Sequence, residues 1–229
     1  MTLHKPEYTI RKWLITAFCL ATIVAGHART TAKNDSGLTL TASKVFAEAP
    51  LEILDLLRPS TRLDMLDYYT QADSILSATN ALGETSRLVR VTPDYLKVSV
   101  TPVSFLEIKL LPVGNKQMVM TLYTTGDESM ARDTEVRFFD SQLKPLETGK
   151  FLKAPHLKDF FTLKGSGIDG DELLEKIPYT AVEYSIGPGE APLTAKLTTL
   201  QSISKEVRDL LSPFMLPSLS SQWKGAFKF

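Results

Sequence analysis

Leu96-Lys97-Val98-Ser99-Val100, Leu106-Glu107-Ile108-Lys109-Leu110 and Gln117-Met118-Val119-Met120-Thr121-Leu122 share one rhythm: an apolar side chain returns at every second position. Successive side chains of an extended chain point to opposite faces, so this period marks strands with one face turned to a core. Val136 and Phe138 carry the pattern on, with Glu135 and Arg137 between and beside them. Short links rich in turn formers separate the runs: Pro93-Asp94, Thr101-Pro102, Gly114-Asn115 and Gly126-Asp127. A parallel crossover needs a dozen or more residues, so links this short impose antiparallel pairing of consecutive strands. Ser86 to Asp140 therefore reads as a β-meander.

Upstream of the meander the period lengthens. Phe46, Ala49, Ile53, Leu54 and Leu57 recur near three- and four-residue spacing, which predicts a helix with Pro50 in its first turn, ending before Pro59. Thr61 and Asp64 have capping-box spacing and open a second helix, with Leu63, Leu66 and Tyr69 as its inward stripe. Downstream, residues 141–178 are less regular, with Pro145, Pro155, a Gly165-Ser166-Gly167 hinge and a short helix from Asp171 to Lys176 stopped by Pro178. Two further strands, Ala181 to Ile186 and Leu193 to Leu200, flank Gly187-Pro188-Gly189. A helix from Ser204 to Leu211 follows. The chain closes on Gln222 to Phe229, where Trp223, Phe227 and Phe229 share a face in a strand expected to return to the sheet. The fold class is α+β: an antiparallel meander with helices packed on one side. Residues 43–229 form one domain in this reading, with 141–178 as the place for any sub-boundary.

The N-terminus has a different design. Lys5, Arg11 and Lys12 precede an uncharged apolar run from Trp13 to Ala25, and small residues follow. This is the layout of a removable export signal, with Gly26 and Ala28 placing the cut after Ala28. The run is shorter than the roughly 20 residues of a spanning helix, so a retained anchor is the second choice and the mature chain holds no transmembrane segment. Residues 29–42 read as a flexible leader. Cys19, the lone cysteine, lies inside the signal, which leaves the mature chain without disulfides or thiolate ligands. The whole chain balances 26 basic against 26 acidic residues; loss of residues 1–28 removes three basic and one acidic, leaving 23 against 25. A surface so near neutrality gives no electrostatic basis for a nucleic-acid partner.

Arg62-Leu63-Asp64-Met65-Leu66-Asp67-Tyr68, Asn80-Ala81-Leu82-Gly83, Thr92-Pro93-Asp94-Tyr95-Leu96, Lys109-Leu110-Leu111-Pro112-Val113 and Leu216-Pro217-Ser218-Leu219 with Trp223-Lys224-Gly225 together resemble an exported Bacteroidales family, domain of unknown function 3256. The likeness runs from about Phe46 to Phe229. It implies a protein of the periplasm or cell envelope of a Gram-negative bacterium and carries no catalytic residue with it. Relatives often bear cysteines around the hairpin matching Thr121 to Asp133; this chain has none there.

Few clusters invite chemistry. Arg62, Asp64 and Asp67 form a candidate charged face on the second helix, and Asp94 with Tyr95 a candidate ligand-facing turn. Each has a plainer structural reading, as a helix start and as the middle of a turn. Gly165 to Glu172 gathers carboxylates and glycines without the spacing of a calcium loop. His156 alone survives signal removal, so the common zinc geometries and a Cys-His pair are excluded. No cofactor, metal or catalytic set is assigned. The reading is a non-catalytic binding or accessory module for an envelope protein or glycan. The alternatives are a carrier of an apolar ligand between sheet and helices, and a hydrolase using Asp64, Asp67 or Glu84.

Overall fold

The computed structural model of the chain describes residues 40–70, 77–127, 129, 131–163, 172 and 174–229. Residues 1–28, expected to be an export signal, residues 29–39 of the expected leader, the Gly165–Gly167 hinge, and Asp171 and Leu173 of the expected Asp171–Lys176 helix lie outside the described residues.

The period-two runs form the centre of a seven-stranded antiparallel sheet in sequential order. Its strands are β1 (Ser77–Thr79), β2 (Thr85–Val91), β3 (Tyr95–Thr101), β4 (Ser104–Val113), β5 (Lys116–Thr125), β6 (Asp133–Phe139) and β7 (Pro145–Leu146). The longest ladder, β4 on β5, runs unbroken from Ser104↔Thr125 to Val113↔Lys116. The meander expected from the sequence is thus present, with a short strand added at each end.

The two faces of this sheet differ from a simple buried-and-wet division. Cross-strand partners share a face, and the pairs Leu96↔Ile108 and Leu110↔Val119 put those side chains on one side. There they pack with Val45, Phe46, Leu54, Leu57 and Met65 from the helical segment. Tyr95↔Lys109↔Met120↔Phe138 lie on the other side. That face meets a second layer built from β9 (Val182–Ser185), β10 (Leu193–Leu197) and β11 (Leu219–Ser221), ordered β11-β10-β9 and antiparallel. Leu96 and Met120 therefore belong to opposite cores, although their strands show the same rhythm.

The terminal strand β12 (Phe227–Lys228) leaves the large sheet alone and pairs parallel with β8 (Leu152–Lys153). It is anchored by rings: Trp223 lies 5.1 Å from Phe227 and 6.5 Å from Phe151, which lies 5.4 Å from Phe138. The Trp223 indole N–H donates to the Pro112 carbonyl of β4 at 2.8 Å, tying this end to the meander.

The helices correct two expectations. α1 spans Ala42–Glu48, capped by Thr41 Oγ1, which accepts from the Lys44 N–H at 3.1 Å. It stops before Pro50 because a residue preceding proline is driven out of the helical region, and Ala49 has ψ 130°. Ile53, Leu54 and Leu57 sit in a linker of turns, where Leu54 and Leu57 are still fully buried. α2 spans Pro59–Thr70 and turns Arg62 and Met65 inward; Leu63 and Tyr69, expected in the stripe, are exposed. α3 (Lys205–Leu211) follows its Ser204 cap as expected. Among the described residues no helix is long and apolar enough to cross a membrane. Thr39–Phe229 form one compact unit.

Candidate functional site

The five residues singled out in the sequence do not converge. Asp64 and Asp67 are exposed on α2, and Asp64 opens onto a hollow of about 270 Å³ with Thr61, Tyr68 and β1. Arg62 is no surface residue at all: it is fully buried. Its Nε donates to the Leu57 carbonyl at 2.8 Å, and its Nη1 donates to Phe46 at 3.0 Å and Ala49 at 2.5 Å. These carbonyls belong to the end of α1 and the following linker, where a helix leaves acceptors without intrahelical partners. Burial holds the guanidinium below its ordinary pKa. Arg62 is thus a clamp on α1, with Nε and Nη1 spent on main-chain oxygen and Nη2 buried without a hydrogen-bond partner among the described residues.

Asp94 and Tyr95 lie towards the second layer, and Tyr95, expected as an exposed ring, is buried there. Glu107 and Lys109, which alternate with apolar residues and read as the wet side of β4, are buried with it. Lys109 Nζ donates to Asp94 Oδ2 and to the Gly189 carbonyl, both at 2.5 Å. Glu107 accepts from the Tyr95 hydroxyl at 3.0 Å, from Lys97 at 2.9 Å and from the Ile186 N–H at 3.3 Å. Burial alone would raise the pKa of Asp94, but hydrogen bonds from Lys109, Thr92 and the Gly189 N–H, with the Lys109 charge, hold it below the usual carboxylate range. The Tyr95 hydroxyl is pushed far up by burial and then by the Glu107 charge and hydrogen bond. This lattice fastens the β9–β10 hairpin to the meander. Its polar atoms satisfy one another, which is the signature of a structural network.

A more extended open surface, made of two adjoining hollows, lies under the α1–α2 linker. Arg137↔Thr121 and Glu135↔Tyr123 are cross-strand pairs on the helical face of the sheet, beyond the end of α1. Residues 51–55 of the linker bridge over them and leave a hollow of about 260 Å³ lined by Glu52, Asp55, Thr121, Tyr123, Glu135 and Arg137, among others. A second hollow of about 430 Å³ shares Glu52, Ile53 and Arg137 as its wall and continues along the sheet edge to Leu143, Pro145 and Leu146. Arg137 stands between the two. It is held by Glu135 at 2.8 Å and donates to the Glu52 carbonyl at 3.3 Å.

One backbone feature belongs to this groove. Leu143, in the β6–β7 turn, has φ 60°. The turn is closed by the Asp140 carboxylate, which accepts from the N–H groups of Gln142 at 2.8 Å and Lys144 at 3.0 Å. Glycine or asparagine occupies such a left-handed position with little strain, whereas leucine costs about 1–2 kcal/mol there. The leucine side chain packs against the helical core and walls the apolar hollow, a placement that Gly could not fill.

Residues 38–229 match the family model described as Protein of unknown function (DUF3256). The chain belongs to that family. The motifs from Arg62 to Gly225 that resemble it therefore mark a true membership, and every residue of the groove lies within the matched span. No curated protein matches the chain. Among solved structures, a domain of an uncharacterized protein from Porphyromonas gingivalis W83 is similar, with a TM-score of 0.67 and 18% identity over 81% of this chain and 96% of that one. At that identity the likeness is one of fold.

The DUF3256 groove was not foreseen from the sequence, because its linker read as part of a helix. Two signals stood in plain view: a proline-bounded stretch, Pro50 to Pro59, carrying Glu52 and Asp55, and a turn, Asp140 to Lys144, with leucine where a small turn former is usual.

Proposed function

We propose that this protein is a non-catalytic binding module of the cell envelope of a Gram-negative bacterium, exported by its first 28 residues, and that it holds a partner in the groove beneath the α1–α2 linker. The observation that carries the reading is the pair of adjoining hollows parted by Arg137, one largely apolar and one lined with carboxylates. A strained leucine on the apolar wall supports it, since strain kept at a surface groove favours a role in binding over one in stability. The ionisable groups moved furthest from their ordinary behaviour, Arg62, Asp94, Tyr95 and Tyr184, are buried or tied into packing contacts.

The carrier reading placed a ligand among the alternating Leu, Val and Met residues. Those side chains are closed into two cores, with Leu96, Val98, Ile108 and Met120 fully buried. The hydrolase reading needs a carboxylate whose surroundings tune it for proton transfer; Asp64, Asp67 and Glu84 are all exposed.

Two experiments test the proposal. Protein purified from its native host is expected to begin at Arg29, and a chain beginning at Met1 would refute export by cleavage. A photo-crosslinking residue at Ile53 is expected to yield a defined adduct in intact cells, while the same residue at exposed Leu210 of α3 yields none. Equal adducts from both positions, or none from Ile53, would remove the groove from consideration.

A further inference from the structure

The two chambers of the groove differ in character, and that difference narrows what can lie there. The apolar chamber, about 430 Å³, is walled by Pro50, Ile53, Leu143, Pro145 and Leu146. That volume falls within the roughly 300–1,000 Å³ of ordinary ligand pockets. Phe138 and Phe139 reach it, but both are buried in the cores and present no open ring face for a sugar to stack on.

The neighbouring chamber is acidic. Glu135 and Arg137 satisfy one another, whereas the carboxylates of Glu52 and Asp55 receive no hydrogen bond or ion pair among the described residues. Three carboxylates around one guanidinium repel a fatty-acid or phosphate headgroup and attract an ammonium or guanidinium. Strand addition is disfavoured at this edge, because β7 opens with Pro145, which has no N–H to donate. Side chains, more than a backbone ladder, must therefore supply the affinity.

We infer that the occupant is an extended segment of a partner protein bearing an aliphatic or aromatic side chain two positions from a lysine or arginine, so that both point to the same side. The apolar side chain enters the chamber walled by Leu143, and the basic group lies against Glu52 and Asp55. This rests on the reading of the groove as the binding surface.

The test uses the purified full chain and fluorescein-labelled decapeptides in anisotropy titrations, a leucine–lysine peptide with a Leu-Ser-Lys-Ser repeat, a glutamate peptide with Leu-Ser-Glu-Ser, a serine–lysine peptide with Ser-Ser-Lys-Ser, and palmitate as a competitor. The leucine–lysine peptide is expected to bind on the order of tenfold more tightly than either other peptide, with the advantage over the glutamate peptide shrinking in high salt. The double substitution Glu52→Lys with Asp55→Lys, both at exposed positions, inverts the preference between the lysine and glutamate peptides. Leu143→Asn, which the left-handed backbone accepts, weakens every leucine-bearing peptide while leaving the urea midpoint close to wild type. If the glutamate peptide or palmitate binds as well as the lysine peptide, and Leu143→Asn still weakens it, the groove stands and the proposed occupant is overturned. If the leucine–lysine peptide fails to bind, the inference falls. If its binding ignores both variants, the groove reading falls with it.

Discussion

Replacing Arg62 by methionine keeps most of the buried volume and removes the guanidinium, so it isolates the clamp on α1. Three carbonyls, of Phe46, Ala49 and Leu57, lose a charged donor held at 2.5–3.0 Å. Bonds to charged groups contribute about 1.5–3 kcal/mol each, giving a gross loss of about 4–9 kcal/mol. Against this stands the burial of a guanidinium that meets no carboxylate among the described residues, a penalty of several kcal/mol that methionine lifts. A net loss of about 2–4 kcal/mol remains. α1 has only seven residues, too few to persist on its own, so the loss falls on its docking to the sheet. With a urea dependence of about 2 kcal/mol per molar, the midpoint should drop by about 1–2 M. Arg62→Lys, which keeps the charge but cannot fork to carbonyls in three directions, should fall between the two. Amide exchange at Val45 and Phe46 should accelerate in the methionine variant before that of Ile108 in β4. A methionine variant with an unchanged midpoint would show that desolvation cancels the three bonds, and the account of Arg62 as a clamp would be wrong.

Three further outcomes are expected. Asp94 has a depressed folded pKa, so its contribution is present above the unfolded carboxylate pKa and is lost as pH falls through the folded value; the stability gap between wild type and Asp94→Asn in urea titrations should therefore be wide at pH 7 and narrow near pH 3. The Tyr184 hydroxyl is pushed up to about 12 by burial and the Asp133 charge, so wild type should lose stability as pH rises from the ordinary tyrosine value near 10 towards 12, and Tyr184→Phe should flatten that limb. Gly126→Ala should destabilise by about 2 kcal/mol or more, because at φ 109° its Cβ would lie 2.9 Å from the Ala131 carbonyl oxygen, whereas Gly114→Ala, at φ 59° with open space, should lose only about 1 kcal/mol; equal melting shifts for the two would refute the steric argument.

Alternation is a property of the chain before it folds, and for that reason Leu96 to Val100, Leu106 to Leu110 and Met118 to Leu122 determined strands, and short Gly- and Pro-bearing links determined their antiparallel order. The proline rules were equally local, yet Pro50 admits two readings, as the first turn of a helix or as the stop after one, and only the docking of Ala42–Glu48 on β3 and β4 chose the second. Periodicity reports that a strand has two faces and is silent on whether the polar one meets water. Glu107 and Lys109 find charge partners nearby, in Lys97 and Asp94, but they are buried because the β9–β10 hairpin comes from some 80 residues away to cover them and adds the Ile186 N–H and the Gly189 carbonyl. The groove has the same origin: Glu52, Arg137 and Leu143 are unremarkable in sequence and become a site when a linker without helical form is laid across the face of β4–β6. Local geometry determined the elements, and the packing of distant segments on them decided which of their side chains were left open to a partner.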